Sequence, residues 1–139
     1  MKIIECPRDA MQGLPYINTE TKVKYHNALL KVGFDTLDFG SFVSPSAIPQ
    51  MRDTAEVLKQ LELETTSTKL LAIVANERGA TDALSHQEIS YLGYPFSVSE
   101  IFQQRNTNAS IEQSLSRVEA IQNMCERANR TLVVYLSMA

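Results

Sequence analysis

The chain has 139 residues, of which 44% are hydrophobic and 21% are charged, and its formal net charge at pH 7 is -3. This length suits one globular domain. A mildly acidic chain with scattered lysines and arginines gives no electrostatic reason to expect nucleic acid or an anionic membrane as a partner. No apolar run approaches the roughly 20 residues that a membrane helix needs. The acidic start argues against a signal peptide, and two cysteines without a CxxC pair fit a reduced, cytoplasmic location.

Predicted strands and helices alternate along the chain. Apolar runs predict strands over residues 2–6, 35–42, 69–75, 88–94 and 131–137. A loop that contains Gly13 and Pro15 is expected after the first strand. Helical spacing predicts helices over residues 19–32, from Pro49 to Leu61, over 78–85 and over 110–128. The last helix is the clearest, because Ser110 and Gln113 make a capping box and Leu115, Ile121 and Cys125 lie on one apolar stripe.

This alternation predicts an α/β fold in which helical crossovers join parallel strands. Two architectures fit the pattern, an open doubly wound sheet and part of a (β/α)8 barrel. A full barrel needs about 250 residues. The last predicted strand has no helix after it, so the pattern looks unfinished.

Polar side chains collect where the predicted strands end, which is where α/β folds bind ligands. They are Arg8, Asp9, Asp38, Ser41, Asn76, Ser97, Ser99, Glu100 and Ser137. An arginine beside a carboxylate can hold an anionic oxygen and a divalent cation, respectively. Spacing alone favours a simpler interpretation, in which Asp9 accepts hydrogen bonds in a turn and Arg8 forms a surface ion pair.

Asp38 is harder to explain as a surface residue, because the segment TLDFGSF places its carboxylate inside an apolar strand. A buried carboxylate needs a partner. A structural hydrogen bond to a neighbouring loop and a catalytic role fit this position equally well.

Three segments resemble motifs of the hydroxymethylglutaryl-CoA lyases, which belong to a wider group of metal-dependent TIM-barrel lyases and acyl-condensing synthases. PRDAMQ resembles PRDGLQ, SFVSPSAIPQMRDTAEVL resembles SFVSPKWVPQM-D-EV, and IFQQRNTNASIEQSLSR resembles F-KKN-N-SIEES--R. The matches follow the family's order and approximate spacing. The resemblance implies that residues 1–139 form the N-terminal half of a single TIM (β/α)8 barrel domain.

The resemblance also implies roles for four residues. The family's catalytic arginine falls on Arg8, which would polarise the substrate carbonyl and stabilise the enolate of the departing acetyl group. The metal-binding aspartate falls on Asp9, and the ion would be Mg²⁺ or Mn²⁺. Gln12 matches a glutamine near the substrate, and the active-site glutamate falls on Asp38. A fixed cation and an arginine lower the cost of an enolate's negative charge.

Several positions depart from the family pattern. Cys6 stands where the family usually has glycine. Asp38 is one methylene shorter than the expected glutamate, which shifts the carboxylate by about one bond length and can weaken a preorganised site. The family's His-x-His metal ligands, its ligating asparagine and its catalytic cysteine have no counterpart here. We interpret His26 and His86 as structural or solvent-exposed, and Cys6 and Cys125 as packed residues.

The function implied is a carbon–carbon lyase that cleaves a 3-hydroxy acyl-CoA, a coenzyme A thioester, to acetyl-CoA and a keto acid such as acetoacetate. The alternatives are a related acyl-condensing synthase or aldolase, a split enzyme or non-catalytic half-barrel that assembles with a partner chain, and, less favoured, an acyl-CoA binding module. Among these interpretations we favour a fragment of a longer enzyme, and the half-barrel is expected to be inactive alone. Because its edge strands are open, we expect a homo-oligomer or association with the missing barrel half.

Overall fold

Five parallel strands form one sheet in the computed structural model, which describes residues 1–138. The strands are β1 (Ile4–Glu5), β2 (Thr36–Ser41), β3 (Lys69–Ile73), β4 (Ile89–Ser97) and β5 (Thr131–Ser137). Each strand pairs with the next one in chain order. This order has no reversal, unlike a doubly wound sheet, and the sheet curls into a half-barrel. The prediction of parallel (β/α) units that form half of a TIM barrel is therefore confirmed.

Six α-helices surround the sheet in the described part of the chain. They are α1 (Pro7–Gln12), α2 (Thr19–Leu30), α3 (Thr54–Leu58), α4 (Glu77–Leu84), α5 (Glu100–Thr107) and α6 (Ile111–Arg127). No helix in residues 1–138 has both the length and the apolar character that crossing a membrane requires. The sequence pattern predicts α2, α4 and α6 but neither α1 nor α5.

The predicted helix from Pro49 to Leu61 is divided in two. A 3₁₀ turn covers Pro49–Met51, and the five-residue α3 follows it. Thr54 is the first residue of α3, and its buried hydroxyl donates to the carbonyl of Met51 (2.8 Å) and accepts from the N–H of Ser41 (3.1 Å). The bond to Ser41 fixes the start of α3 against the end of β2.

The capping box of α6 is confirmed, because the Ser110 and Gln113 side chains each accept a hydrogen bond from the other residue's backbone N–H. The predicted apolar stripe is only partly correct. Ile121 and Cys125 are fully buried, but Leu115 is 56% exposed. The buried position in that turn is Ser114, whose hydroxyl accepts a hydrogen bond from a buried amide on α5.

The two faces of the sheet have different surroundings. One face packs against the helices and forms the core, with Leu37, Phe39, Leu70, Ala72, Val74, Leu92 and Tyr94. The opposite face is the concave interior of the half-barrel. A Cβ atom at Gly93 would lie 2.5 Å from the Ile73 side chain and 3.0 Å from the Tyr135 ring. Glycine at this position therefore lets three neighbouring strands pack closely on the inner face.

Candidate active site

Arg8, Asp9 and Gln12 lie on α1, the short helix that follows β1. Pro7 occupies the start of this helix, where its missing N–H needs no partner. Arg8 and Gln12 are four residues apart and share one face, and Arg8 Nη1 donates to Gln12 Oε1. The expected loop after β1 is therefore wrong at its start, and the helical turn is what brings these side chains together.

Arg8 forms a two-pronged ion pair with Asp38 on β2. Arg8 Nε donates to Oδ1 (3.1 Å) and Oδ2 (3.2 Å) of Asp38, and Arg8 Nη2 donates to Oδ2 (2.7 Å). The Asp38 side chain is 0% exposed and that of Arg8 is 11% exposed. Parallel N–H donors fix a guanidinium in orientation as well as in place. The partner that the buried carboxylate requires is thus Arg8, which is 30 residues away in sequence.

Burial and charge act in opposite directions on this pair. Burial raises the pKa of the Asp38 carboxyl, and the hydrogen bonds and charge of Arg8 act against that shift. Burial acts to lower the pKa of Arg8, but the hydrogen bond and charge of Asp38 outweigh it, so the pKa of Arg8 is raised. Asp38 therefore depends on Arg8 to stay ionised in a dry environment.

Two further polar groups lie beside the pair. The Tyr135 hydroxyl on β5 donates to Asp38 Oδ2 at 3.5 Å. Burial and the Asp38 charge both raise the pKa of Tyr135, so the phenol keeps its proton. Cys6 occupies the position before α1, where its side chain makes no capping hydrogen bond, and it is partly exposed rather than packed within the strand as predicted. Burial raises the pKa of the Cys6 thiol, which opposes a thiolate role.

These groups border a cavity of about 340 Å³ at the carboxyl ends of the strands. Its wall consists of Cys6, Arg8, Asp9, Gln12, Val43, Ile48, Ile73, Ala75, Pro95, Phe102, Asn106, Tyr135 and Ser137. The charged groups come from α1, and most of the remaining wall is apolar. The cavity can therefore hold a ligand that has a polar reacting end and an apolar body.

Sequence reasoning missed Tyr135 and Asn106 as cavity residues. Asn106 lies on α5, within the segment IFQQRNTNASIEQSLSR that resembles the lyase motif, so the motif itself contained the signal. Nothing in the sequence around Tyr135 indicates that it borders the cavity. Its place beside Asp38 arises only from the curvature of the sheet, which brings β5 toward β2 across the inner face.

Most of the other polar residues predicted at strand ends lie away from the first cavity. Ser41 and Asn76 border a second cavity. The Ser97 hydroxyl donates to the carbonyl of Ser137, Ser99 caps α5, and the Glu100 carboxylate accepts from the N–H of Ile111. Of the original set, only Arg8, Asp9 and Ser137 border the first cavity.

The described residues offer one clear ligand for a divalent cation at this cavity. The Asp9 side chain is 73% exposed and pairs through Oδ1 with Arg8 Nη1 at 3.2 Å. Within residues 1–138, no three histidine, cysteine, aspartate or glutamate side chains cluster closely enough to hold a metal. These residues therefore fit a single contact to a cation and do not form a complete metal site.

His26 and Cys125 are buried structural residues, as interpreted from the sequence. The His26 ring is buried, with Nδ1 2.6 Å from the carbonyl of Lys22 and Nε2 3.0 Å from that of Phe39. Cys125 is fully buried in the core. His86 lies in the loop before β4, where its ring packs against Phe42.

Comparison with known proteins finds relatives over nearly the whole chain. The chain is 36% identical over 141 residues to the mitochondrial hydroxymethylglutaryl-CoA lyase of Macaca fascicularis, and 36% identical over 132 residues to a hydroxymethylglutaryl-CoA lyase of Bacillus subtilis. These alignments cover 99% and 94% of the chain. The resemblance to hydroxymethylglutaryl-CoA lyases is confirmed. The chain spans 42% and 44% of the length of these two relatives. No family model matches the chain.

Solved structures of hydroxymethylglutaryl-CoA lyases have the same fold as this chain. The Bacillus subtilis enzyme superposes with a TM-score of 0.90 at 34% identity, over 97% of this chain and 45% of that one. A lyase from Acinetobacter baumannii, solved with coenzyme A and 3-methylmalate, gives a TM-score of 0.88 at 26% identity, over 97% and 44% of the two chains. The half-barrel is thus the fold of the matching portion of these lyases.

Proposed function

We propose that this chain supplies the carbonyl-polarising part of a carbon–carbon lyase that acts on a 3-hydroxy acyl-CoA. The observation that carries the proposal is the position of the Arg8 guanidinium. It borders the cavity and is fixed in orientation by its ion pair with the buried Asp38. The similarity to hydroxymethylglutaryl-CoA lyases, one of them solved with coenzyme A and 3-methylmalate, supports the substrate class.

The hydrogen bonds of Arg8 limit what it can offer a substrate. A guanidinium has five N–H groups. The Nε–H and one Nη2 N–H donate to Asp38. The two N–H groups of Nη1 donate to Asp9 and Gln12. One Nη2 N–H remains for a substrate oxygen. A single, rigidly held donor is suited to one developing oxyanion.

In the proposed cleavage, a general base removes the proton of the 3-hydroxyl and the C2–C3 bond breaks. The 3-hydroxyl carbon becomes the carbonyl of the keto acid, and the bond's electron pair moves onto the thioester to give the enolate of acetyl-CoA. Arg8 stabilises the enolate oxygen until C2 takes up a proton. The apolar part of the wall lowers the local dielectric around Arg8 and so strengthens this charge interaction.

The expected divalent cation, Mg²⁺ or Mn²⁺, stays a prediction that rests on Asp9. When bound, such an ion would polarise oxygens of the hydroxy acid. The described residues supply one ligand for it, so no step above depends on it.

The cytoplasmic location expected from the cysteine content also stays a prediction.

The test is release of acetyl-CoA from 3-hydroxy-3-methylglutaryl-CoA by this chain assembled with the missing barrel half, since the half-barrel is expected to be inactive alone. Arg8→Ala should lower kcat by about 100-fold, because a fixed charge donor to the enolate is lost. Arg127→Ala, which changes an exposed arginine on α6, is the matched control and should keep normal turnover. Turnover of Arg8→Ala within a few-fold of the unchanged protein would exclude a catalytic role for Arg8.

A second candidate is a half-barrel that assembles with another chain or with a second copy of itself. It is favoured by the edge strands, because β1 and β5 each pair with one strand only in the described residues. Exposed apolar side chains mark both strands or their margins, at Ile3, Ile4, Val134 and Leu136. Unpaired edges of this kind attract another strand.

A further inference from the structure

Lys22, on α2, is a buried lysine that the proposed cleavage does not use. Only 2% of it is exposed. Its ammonium group donates to the carbonyl of Gln50 and to Asp53 Oδ1 (2.5 Å), and it lies 4.6 Å from the centre of the Tyr16 ring. An ammonium group has three N–H donors, so these three partners account for all of them. A lysine with this degree of burial needs such complete pairing.

Asp53 is the acceptor on which several donors converge. Besides the contact with Lys22, its Oδ2 atom accepts from the Thr19 hydroxyl (2.7 Å) and from the Tyr16 hydroxyl (3.2 Å). These three donors belong to α2 and to the loop before it, whereas Asp53 directly precedes α3. The carboxylate therefore ties the segment that leads into α3 to the start of α2.

The contacts of Lys22 fix the end of the loop that follows β2. This loop ends at the 3₁₀ turn Pro49–Met51. Its residues 44–47 are exposed, whereas Ile48 is partly buried and borders the first cavity. Ile48 directly precedes the turn that Lys22 holds through the Gln50 carbonyl. The position of Ile48 in the cavity wall therefore depends on that contact.

We propose that Lys22 is a positioning residue, which holds Ile48 in the wall of the first cavity through the Gln50 carbonyl and the Asp53 carboxylate. Without the ammonium group, the loop after β2 moves away from α1 and the cavity opens to solvent. The effect on catalysis rests on the proposed function, because an open cavity holds the acyl end of the substrate less well. The closed position of the loop does not depend on which reaction takes place there.

The two cysteines distinguish local opening of the loop from unfolding of the whole chain. Cys6 borders the first cavity and is partly exposed, whereas Cys125 is fully buried in the core on the other face of the sheet. The experiment is alkylation of the full chain by iodoacetamide at one pH and several urea concentrations below the unfolding transition. Peptide mass spectrometry gives the rate for each cysteine. A local opening exposes little surface, so its rate varies little with urea, whereas global unfolding gives a steep dependence.

The test variant is Lys22→Met, which keeps an unbranched side chain and removes the ammonium group. It should raise the alkylation rate of Cys6 by about fivefold or more, with little dependence on urea, because the loop opens locally. Asp53→Asn removes the same ion pair from the other side and should give the same result, which keeps the test decisive if Lys22→Met does not fold.

Lys24→Met is the matched control for loss of a lysine from α2. Lys24 lies on the same helix in an exposed ion pair with Glu20, and pairs of this kind contribute little to stability. This change should leave both alkylation rates as they are. Equal acceleration of Cys6 in Lys24→Met would mean that loss of any positive charge has this effect, and the proposal would be wrong.

The second measurement uses this chain assembled with the missing barrel half. Lys22→Met should raise KM for 3-hydroxy-3-methylglutaryl-CoA by about fivefold and keep kcat within about twofold, since the cavity wall is disturbed and Arg8 stays in place. A fall in kcat at unchanged KM would contradict a role in the wall of the cavity.

Two results of the alkylation experiment would also overturn the proposal. One is an unchanged Cys6 rate in both Lys22→Met and Asp53→Asn, and the other is a Cys6 rate with the same urea dependence as that of Cys125. Alkylation involves no turnover, so it decides the position of Ile48 by itself. Absence of acetyl-CoA release by the unchanged assembly would contradict the proposed function and leave that decision standing.

Discussion

The Arg8–Asp38 pair determines the geometry of the candidate site. The resemblance to the lyase motifs predicted Arg8, Asp9, Gln12 and Asp38 as site residues, and the structure brings all four together around one guanidinium. Spacing alone favoured a surface ion pair for Arg8, and for Asp38 it left a structural hydrogen bond to a neighbouring loop and a catalytic role as equal alternatives. The surface pair is wrong, because Arg8 is 11% exposed and its partner is the buried Asp38. A contact across 30 residues depends on the pairing of β1 with β2 rather than on local pattern.

Asp38→Asn should destabilise the protein strongly. It leaves Arg8 nearly buried without its counter-charge, and breaking a buried ion pair costs about 3–5 kcal/mol. The free energy of unfolding is measured by urea denaturation. Asp9→Asn is the matched control, since its side chain is 73% exposed and the loss should stay within about 1 kcal/mol. Equal losses for the two variants would mean that Asp38 does not anchor Arg8.

His26 should make stability depend on pH. Burial lowers the pKa of His26, although the carbonyl oxygens of Lys22 and Phe39 favour its protonated form. The unfolded chain then binds more protons than the folded one below about pH 6.5, so stability falls as the pH drops from there toward the lowered pKa. Thermal midpoints at pH 7.5 and 5.5 measure the loss.

His26→Gln should make that loss smaller. A pH dependence as large in His26→Gln as in the unchanged chain would contradict the assignment.

Sequence pattern predicted the elements with an apolar stripe and missed those held by polar contacts. All five strands were predicted from their apolar residues, although only β2, β3 and β4 are largely buried and the edge strands β1 and β5 are partly exposed. α5 was missed because it is fixed by the Gln103 amide, which accepts from the N–H of Ser97 (2.6 Å) and donates to Ser114 Oγ (2.8 Å). α1 was missed because only Pro7 and Met11 of its six residues are buried.

Gly93→Ala should loosen the inner face of the half-barrel. The added methyl group would overlap the side chains of Leu71 and Ile73 and press on the Tyr135 ring. Overpacking of this kind costs about 1–3 kcal/mol. Urea denaturation measures the loss, and the Tyr135 hydroxyl should move away from Asp38 in a crystal structure of the variant.

Gly13→Ala is the matched control for that change. A Cβ atom at Gly13 would meet nothing within 4 Å, and its φ of -84° is open to alanine. The control should be neutral or slightly stabilising, since alanine reduces the freedom of the unfolded chain. If Gly93→Ala were as stable as Gly13→Ala, the close packing of β3, β4 and β5 would not constrain the site.

At the scale of the whole molecule, the half-barrel leaves both ends of its sheet unpaired among residues 1–138. In a closed barrel no strand has a free edge. Here the free N–H and C=O groups of β5 lie beside Val134 and Leu136, which are exposed. Composition predicted an ordinary globular chain and could not reveal this, because the edge arises from topology and not from amino-acid content.

Leu136→Lys should therefore reduce self-association of the isolated 139-residue chain. Edge pairing between copies should give dimers or larger species whose weight-average mass in sedimentation velocity rises with concentration, and a lysine on the edge strand opposes such pairing. Leu115→Lys is the matched control, because Leu115 is 56% exposed on α6 and Leu136 is 66% exposed on β5. The control should associate like the unchanged chain. A monomeric mass for all three proteins at every concentration would mean that the free edges do not direct assembly, and the partner proposal would fail for a second copy of this chain.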